Sequence, residues 1–393
     1  MKQLKRSIKG NIITLTSLLF MLGIIGTRPL VSLYSYELNA SPLQIGIIIA
    51  LFPLLPLVLA IRLGKMVDKF GYRIPLIFST LFGSVAIMIP MFMPNLIGVY
   101  LSQIIAGITQ TIFAVSAQSF IGSFTDESES DRQLMRFSIG VAIGSFLGPL
   151  LSGIISDEWG YPAAFGISGC IAILGGVVAL LLAENKEHSA SGVRSASGLQ
   201  SSFSLLKISN IKKAILISVL VLLGKDIFIA YFPLLALEYG FSSTVIGIVI
   251  SINAAAGILI RWSMPYLIRR FTRNIVVIGS IVCSGLCFIA ISFFGNSVIL
   301  IILSFLLGMG LGIGQPLSIS TTMHALPRNR IGEGLGLRLT ANRFTQLSGP
   351  VILGMIAEFT NISTIFLIIG IFILTGATKT KISSKESHQA STT

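Results

Sequence analysis

A chain of 393 residues that is 53% hydrophobic and only 11% charged has too little polar surface for soluble domains, which carry about 25% charge. Its net charge of +13 would suit a nucleic-acid partner in a soluble protein, but the 28 Lys and Arg residues cluster in alternate gaps between apolar runs, which excludes that partner. Those runs of roughly 20 residues each cross about 30 Å of hydrocarbon, so neither a sizeable soluble domain nor an outer-membrane barrel fits.

In chain order the apolar runs predict helices over 11–34, 43–63, 74–92, 96–124, 134–155 and 163–183, then 214–237, 244–265, 275–294, 298–326, 335–357 and 364–377. The expected fold class is an all-α membrane protein with twelve transmembrane helices in two parallel six-helix repeats. Residues 1–183 form an N-terminal bundle and 211–378 a C-terminal one. Between them 184–210, rich in Ser, Gly and charge, reads as a solvated cytoplasmic linker, and 379–393 as a disordered cytoplasmic tail. Lys2, Lys5, Arg6 and Lys9 precede the first run, every even-numbered gap is basic, and the opposite gaps carry Glu37, Asp157, Glu158, Glu238 and Glu358 instead. This positive-inside pattern places both termini in the cytoplasm and the chain in the cytoplasmic membrane.

Shifting the chain against itself by 201 residues brings Gly23 onto Gly224, Glu37 onto Glu238, Gly107 onto Gly308, Gly148-Pro149 onto Gly349-Pro350 and Phe165 onto Phe366. Gly, Pro and acidic matches carry weight because each disturbs or charges a membrane helix. Duplicated six-helix halves share one orientation and imply a central passage with alternating access.

Between the second and third helices stands Gly64-Lys65-Met66-Val67-Asp68-Lys69-Phe70-Gly71-Tyr72-Arg73, and the fifth carries Gly140, Gly144, Gly148, Pro149 and Gly153. The first stretch resembles the cytoplasmic signature loop of the major facilitator superfamily. The second resembles the Gly-Pro motif of its drug and metabolite:proton antiporters, and the likeness covers essentially the whole chain. The resemblance implies a conformational gate of Gly64, Asp68, Lys69, Gly71 and Arg73, with Asp68 facing Gly332-Glu333-Gly334 at the start of helix 11. Small residues every four positions, including Gly349 and Pro350, also serve plain helix packing. Where related exporters place an Arg in helix 4 this chain has Gln103, and helix 1 lacks their acidic residue.

A charge inside a membrane helix costs several kcal/mol unless it has a partner or a wet cavity. Arg28 lies late in helix 1 and the adjacent Lys225 and Asp226 at a similar level in helix 7. One reading pairs Arg28 with Asp226 beside the passage, Asp226 taking up the proton; the other is a static salt bridge. Arg261, Arg338 and Arg343 lie toward the cytoplasmic ends of their helices and are expected to snorkel, although Arg343 with Arg28 and Lys225 would suit an anionic or zwitterionic solute. Cys170, Cys283 and Cys287 read as packing residues, Asp126, Glu127, Glu129 and Asp131 as a solvated turn, and Gly308, Gly310, Gly312 and Gly314 as helix packing rather than a nucleotide site.

The leading expectation is a secondary active transporter exporting a drug or metabolite with protons. Uptake of an anionic metabolite by a symporter or facilitator, and a non-transporting membrane sensor or scaffold, are the alternatives. No catalytic residue, cofactor or metal is expected, and the partners are a small-molecule substrate, protons and the lipid bilayer around a monomer.

Overall fold

The helices start where side chains satisfy the first free N–H groups. Ser41 and Gln44 form a reciprocal capping box, and Asn95, Asn296 and Asn361 accept from Gly98, Val298 and Thr364 at 2.9 Å each. The computed structural model describes residues 2–124, 126–182, 204–327 and 330–380. Its helices are α1 (Lys2–Glu37), α2 (Pro42–Phe70), α3 (Arg73–Phe92) and α4 (Leu96–Gly122), then a run Glu127–Leu180 that Gly160, at φ 79°, breaks into α5 (127–159) and α6 (161–180). After a short 3-10 turn at Leu205–Lys207 come α7 (Ser209–Glu238), α8 (Ser243–Arg270), α9 (Arg273–Ile291), α10 (Ser297–His324), α11 (Ile331–Phe359) and α12 (Ile362–Ala377). With Glu127–Leu180 counted once, nine helices among the described residues are long and apolar enough to cross a membrane. At 16 residues α12 spans only about 24 Å.

Two compact units divide the chain, Met1–Gly192 with Ala236–Ser251, and Val193–Leu235 with Ile252–Thr393. The turn joining α7 to α8 groups with the first unit. Leu205 is buried against Ile211 and Leu326, and α7 begins at Ser209. Residues 183–203, most of the expected linker, and 381–393, most of the expected tail, lie outside the described residues.

In the first unit the core is built on Phe20, Tyr34, Phe113, Phe120 and Phe165, with Phe20 and Phe113 ring centroids 4.7 Å apart. Helix α5 lies directly on α1 through Gly140, Gly144 and Gly148. A Cβ at Gly148 would stand 2.8 Å from the Gly26 nitrogen, and one at Gly144 2.7 Å from the Leu18 oxygen, so side chains are excluded where the two backbones touch. Ser152 adds a hydrogen bond to the Gly26 carbonyl at 2.7 Å. In the second unit Phe288 packs on Phe366, and Tyr231 donates to the Pro350 carbonyl at 2.6 Å. Large side chains such as Phe78, Phe82, Trp262 and Phe359 point outward, as lipid contact requires.

Candidate functional site

Prolines set up two of the polar sites by withholding an N–H from the helical carbonyl four residues earlier. In α2 the partner position of the Phe52 carbonyl is Pro56. Helix α4 closes on that carbonyl at Gly107, where any Cβ would collide with it. So held, the Phe52 ring receives Arg28, whose guanidinium carbon lies 4.3 Å from the ring centroid, a cation–π contact inside the first unit. Gln103, one turn before Gly107 in α4, is buried at 8% exposure. In α10 the partner position of Gly312 is Pro316, and the Arg261 Nε donates to the Gly312 carbonyl at 3.2 Å. Arg261, itself exposed, satisfies with its Nε a carbonyl that α10 leaves open.

Asp226 on α7 is half-buried while its neighbour Lys225 is exposed, as a turn of about 100° per residue requires. The Asp226 Oδ2 accepts from Gln346 Nε2 at 2.9 Å, and Gln346 Oε1 accepts from Arg343 Nη1 at 3.1 Å. Gln346 thus joins two residues singled out from the sequence, and sequence reasoning missed it. The signal was available in the spacing, since 343 and 346 share a helix face. Arg28 and Asp226 fall in different units.

Arg338 is a plain correction. It is not snorkelling but buried, at 5% exposure, with Nη1 donating to Ser218 Oγ and to Gln315 Oε1 at 2.7 Å each. Ser218 in turn donates to Asn342 Oδ1 at 2.8 Å, so α7, α10 and α11 meet in a polar cluster. Helical phase outweighs nearness to the helix end: 338 and 342 face inward together.

The signature stretch is less a loop than expected. Gly64 to Phe70 are the last turns of α2, with Val67 fully buried, and the turn itself is Gly71-Tyr72, Gly71 taking φ 73°. Arg73 Nη2 donates to the Leu180 carbonyl at 3.1 Å, satisfying the end of α6. Asp68 and Lys69 are exposed, Lys69 lying 5.4 Å from the Phe70 ring centroid. In the second unit Glu333 pairs with Arg330 at 2.8 Å.

The acidic turn before α5 also departs from expectation. Asp126 caps the helix, but Glu129 is buried, pairs with Arg132 at 3.1 Å and accepts from Gln133 at 2.6 Å. The four glycines of α10 face packed neighbours, Gly312 lying against Ile260 and Gly257 of α8. Cys170 is exposed, Cys283 half-buried and Cys287 buried.

At the α5–α6 elbow Asp157 accepts from the Ser243 and Thr244 nitrogens at 2.9 and 2.7 Å, capping α8 from another helix. Beside it Gly153 and Pro149 meet Ser243 and Gly247 so closely that added Cβ atoms would strike backbone. Thus Pro149 and Gly153 serve a different contact from Gly140, Gly144 and Gly148. Because the carboxylate is solvent-exposed, its removal in Asp157→Ala is expected to cost only about 1 kcal/mol of stability. Thermal unfolding in detergent measures it, and an unchanged midpoint would show the cap to be idle.

Apolar helices in number, with a few charges held in internal polar clusters, define a polytopic membrane transport protein. A family model for the Major Facilitator Superfamily matches residues 13–347 and, in a second placement, 214–387. The chain belongs to the major facilitator superfamily and is a multi-pass membrane transporter of a small solute, not an enzyme. It is 26% identical over 92% of its length to an uncharacterised transporter of this type from Methanocaldococcus jannaschii, covering 94% of that protein. It is 22% identical to Multidrug resistance protein 1 of Bacillus subtilis over 90% of this chain and 91% of the relative. With the class C tetracycline resistance protein of Escherichia coli it shares 24% identity over 78% of each chain. The solved nucleoside transporter NupG shares the fold at a TM-score of 0.78 and 17% identity, over 96% of this chain and 100% of that one.

Proposed function

We propose that this transporter exports a drug-like compound or metabolite across the cytoplasmic membrane by alternating access, in exchange for protons, as a monomer with both termini in the cytoplasm. Residues 1–183 and 211–378 serve as its two bundles, and Asp68, Gly64, Lys69, Gly71 and Arg73 as the cytoplasmic gate. The observation that carries the reading is Asp226, a half-buried carboxylate in the middle of α7 tied to Gln346 and Arg343. An acid there costs stability unless it is used, and a protonation site is the use that exchange requires. The names of the multidrug and tetracycline resistance relatives favour export. Gln103 in place of the family Arg means that coupling runs through α7 rather than α4.

Inverted membrane vesicles with an imposed proton gradient, acid inside, test this with tetracycline and a fluorescent cationic dye as probes. Gradient-dependent accumulation in vesicles carrying the chain supports export. Accumulation of neither probe, together with proton-driven uptake of an organic acid by right-side-out vesicles, would favour the symporter reading instead. In the same assay Asp68→Asn is expected to slow exchange while leaving membrane insertion normal; unchanged cycling would reject the gate. A sensor or scaffold predicts no flux that changes on substituting Arg28 or Asp226.

A further inference from the structure

The internal duplication supplies a control for each residue of the Arg338 cluster, because the same 201-residue shift names its counterpart in the first half. Arg338 replaces Phe137, Gln315 replaces Ala114 and Asn342 replaces Val141, while Ser218 keeps Ser17. In the first unit these positions are ordinary packing: Phe137 lies with its ring centroid 6.1 Å from that of Phe113, and Ser17 bonds back to the Ile13 carbonyl of its own helix. Phe113 itself corresponds to Gly314, so the second half has removed one aromatic ring and replaced the other by a cation. The fold therefore closes this junction with hydrocarbon when nothing else is asked of it.

In the second half the junction holds a positive charge at 5% exposure, and among the described residues no carboxylate pairs with it. Its hydrogen-bond partners are both neutral oxygens and both are served by Nη1, while Nε is buried with no partner. A guanidinium carries five N–H donors in a planar fork that matches an oxyanion two bonds at a time. A buried cation left without a counter-charge is costly, and replacing it by a hydrophobic residue of similar volume is commonly neutral or stabilising, which the first half demonstrates is available here. Retaining Arg338 makes physical sense when an anion joins it for part of the cycle.

We propose that Arg338, positioned by Ser218, Gln315 and Asn342, binds an oxyanion group of the transported solute, of the carboxylate class. This rests on the chain being a solute transporter and adds the chemistry of its cargo. Gln315 Nε2 is committed to the Ser218 carbonyl at 3.1 Å, so the amide cannot swing away and the Nη1 edge stays fixed while the Nε edge is left for the ligand.

Equilibrium binding to the full-length protein in detergent tests the site, with acetate and benzoate as probes, benzamide as the neutral match for benzoate, and chloride for a simple counter-ion. Saturable thermal stabilisation by benzoate or acetate is expected, with none by benzamide. Arg338→Gln is expected to weaken carboxylate binding by about tenfold or more, and Arg338→Lys, keeping charge without the fork, by less. The double variant Arg338→Phe with Gln315→Ala returns two of these positions to the first half's hydrocarbon and removes the buried charge, so it is expected to fold and to bind no carboxylate. Failure of both carboxylates to bind the parent, equal binding by benzamide, full occupancy by chloride alone, or unchanged binding in the double variant would each overturn the proposal. No gradient enters the measurement, so its failure is distinct from failure of the export assay.

Discussion

Gly148→Ala is expected to destabilise the first unit by about 1–3 kcal/mol, whereas Gly349→Ala, its counterpart in the duplicate, changes little. The same Gly-Pro pair occupies both places in the sequence, but its surroundings differ. At Gly148 the nearest atoms are the backbone of Gly26 at 2.8 Å, on a helix that lies against α5 through Gly140 and Gly144 as well. A methyl group there cannot be accommodated by a rotamer change; the helix axes must separate, and Ser152 loses its bond to the Gly26 carbonyl. At Gly349 the added Cβ meets only the end of the Leu223 side chain, which can rotate. Thermal unfolding of the two purified variants in the same detergent measures the contrast. Equal midpoints would show that the backbone contact between α1 and α5 is not what stabilises the unit.

Asp226→Asn is expected to lower proton-driven accumulation by roughly 5- to 150-fold, the span of a coupling free energy between two ligands, while downhill exchange of solute persists. Asparagine keeps the size of the side chain and can still accept from Gln346, which keeps the link to Arg343 while the negative charge is removed. A static salt-bridge role predicts the opposite pattern, with reduced folding yield and normal coupling in whatever protein inserts. Lys225→Gln is the control, since Lys225 is exposed on the neighbouring face of α7. Gradient-driven flux and counterflow measured in the same vesicles separate the two roles, and full accumulation by Asp226→Asn would remove the residue from the proton path.

Apolar length, the alternation of basic and acidic gaps and the 201-residue repeat were enough to place the helices and to identify the two halves, because each depends only on what a residue must do in hydrocarbon or at its edge. The charges inside helices were legible as functional candidates for the same reason. Their partners were not. Arg28 meets an aromatic ring that a proline and a glycine hold in place, Arg261 a carbonyl opened by Pro316, and Asp226 an amide on α11, all set by which helices become neighbours and in what phase. Arg338 shows the limit most clearly, since its distance along α11 suggested a head group at the membrane surface. Rotation about the helix axis, which three-dimensional packing alone decides, turns it instead onto Ser218 and Gln315.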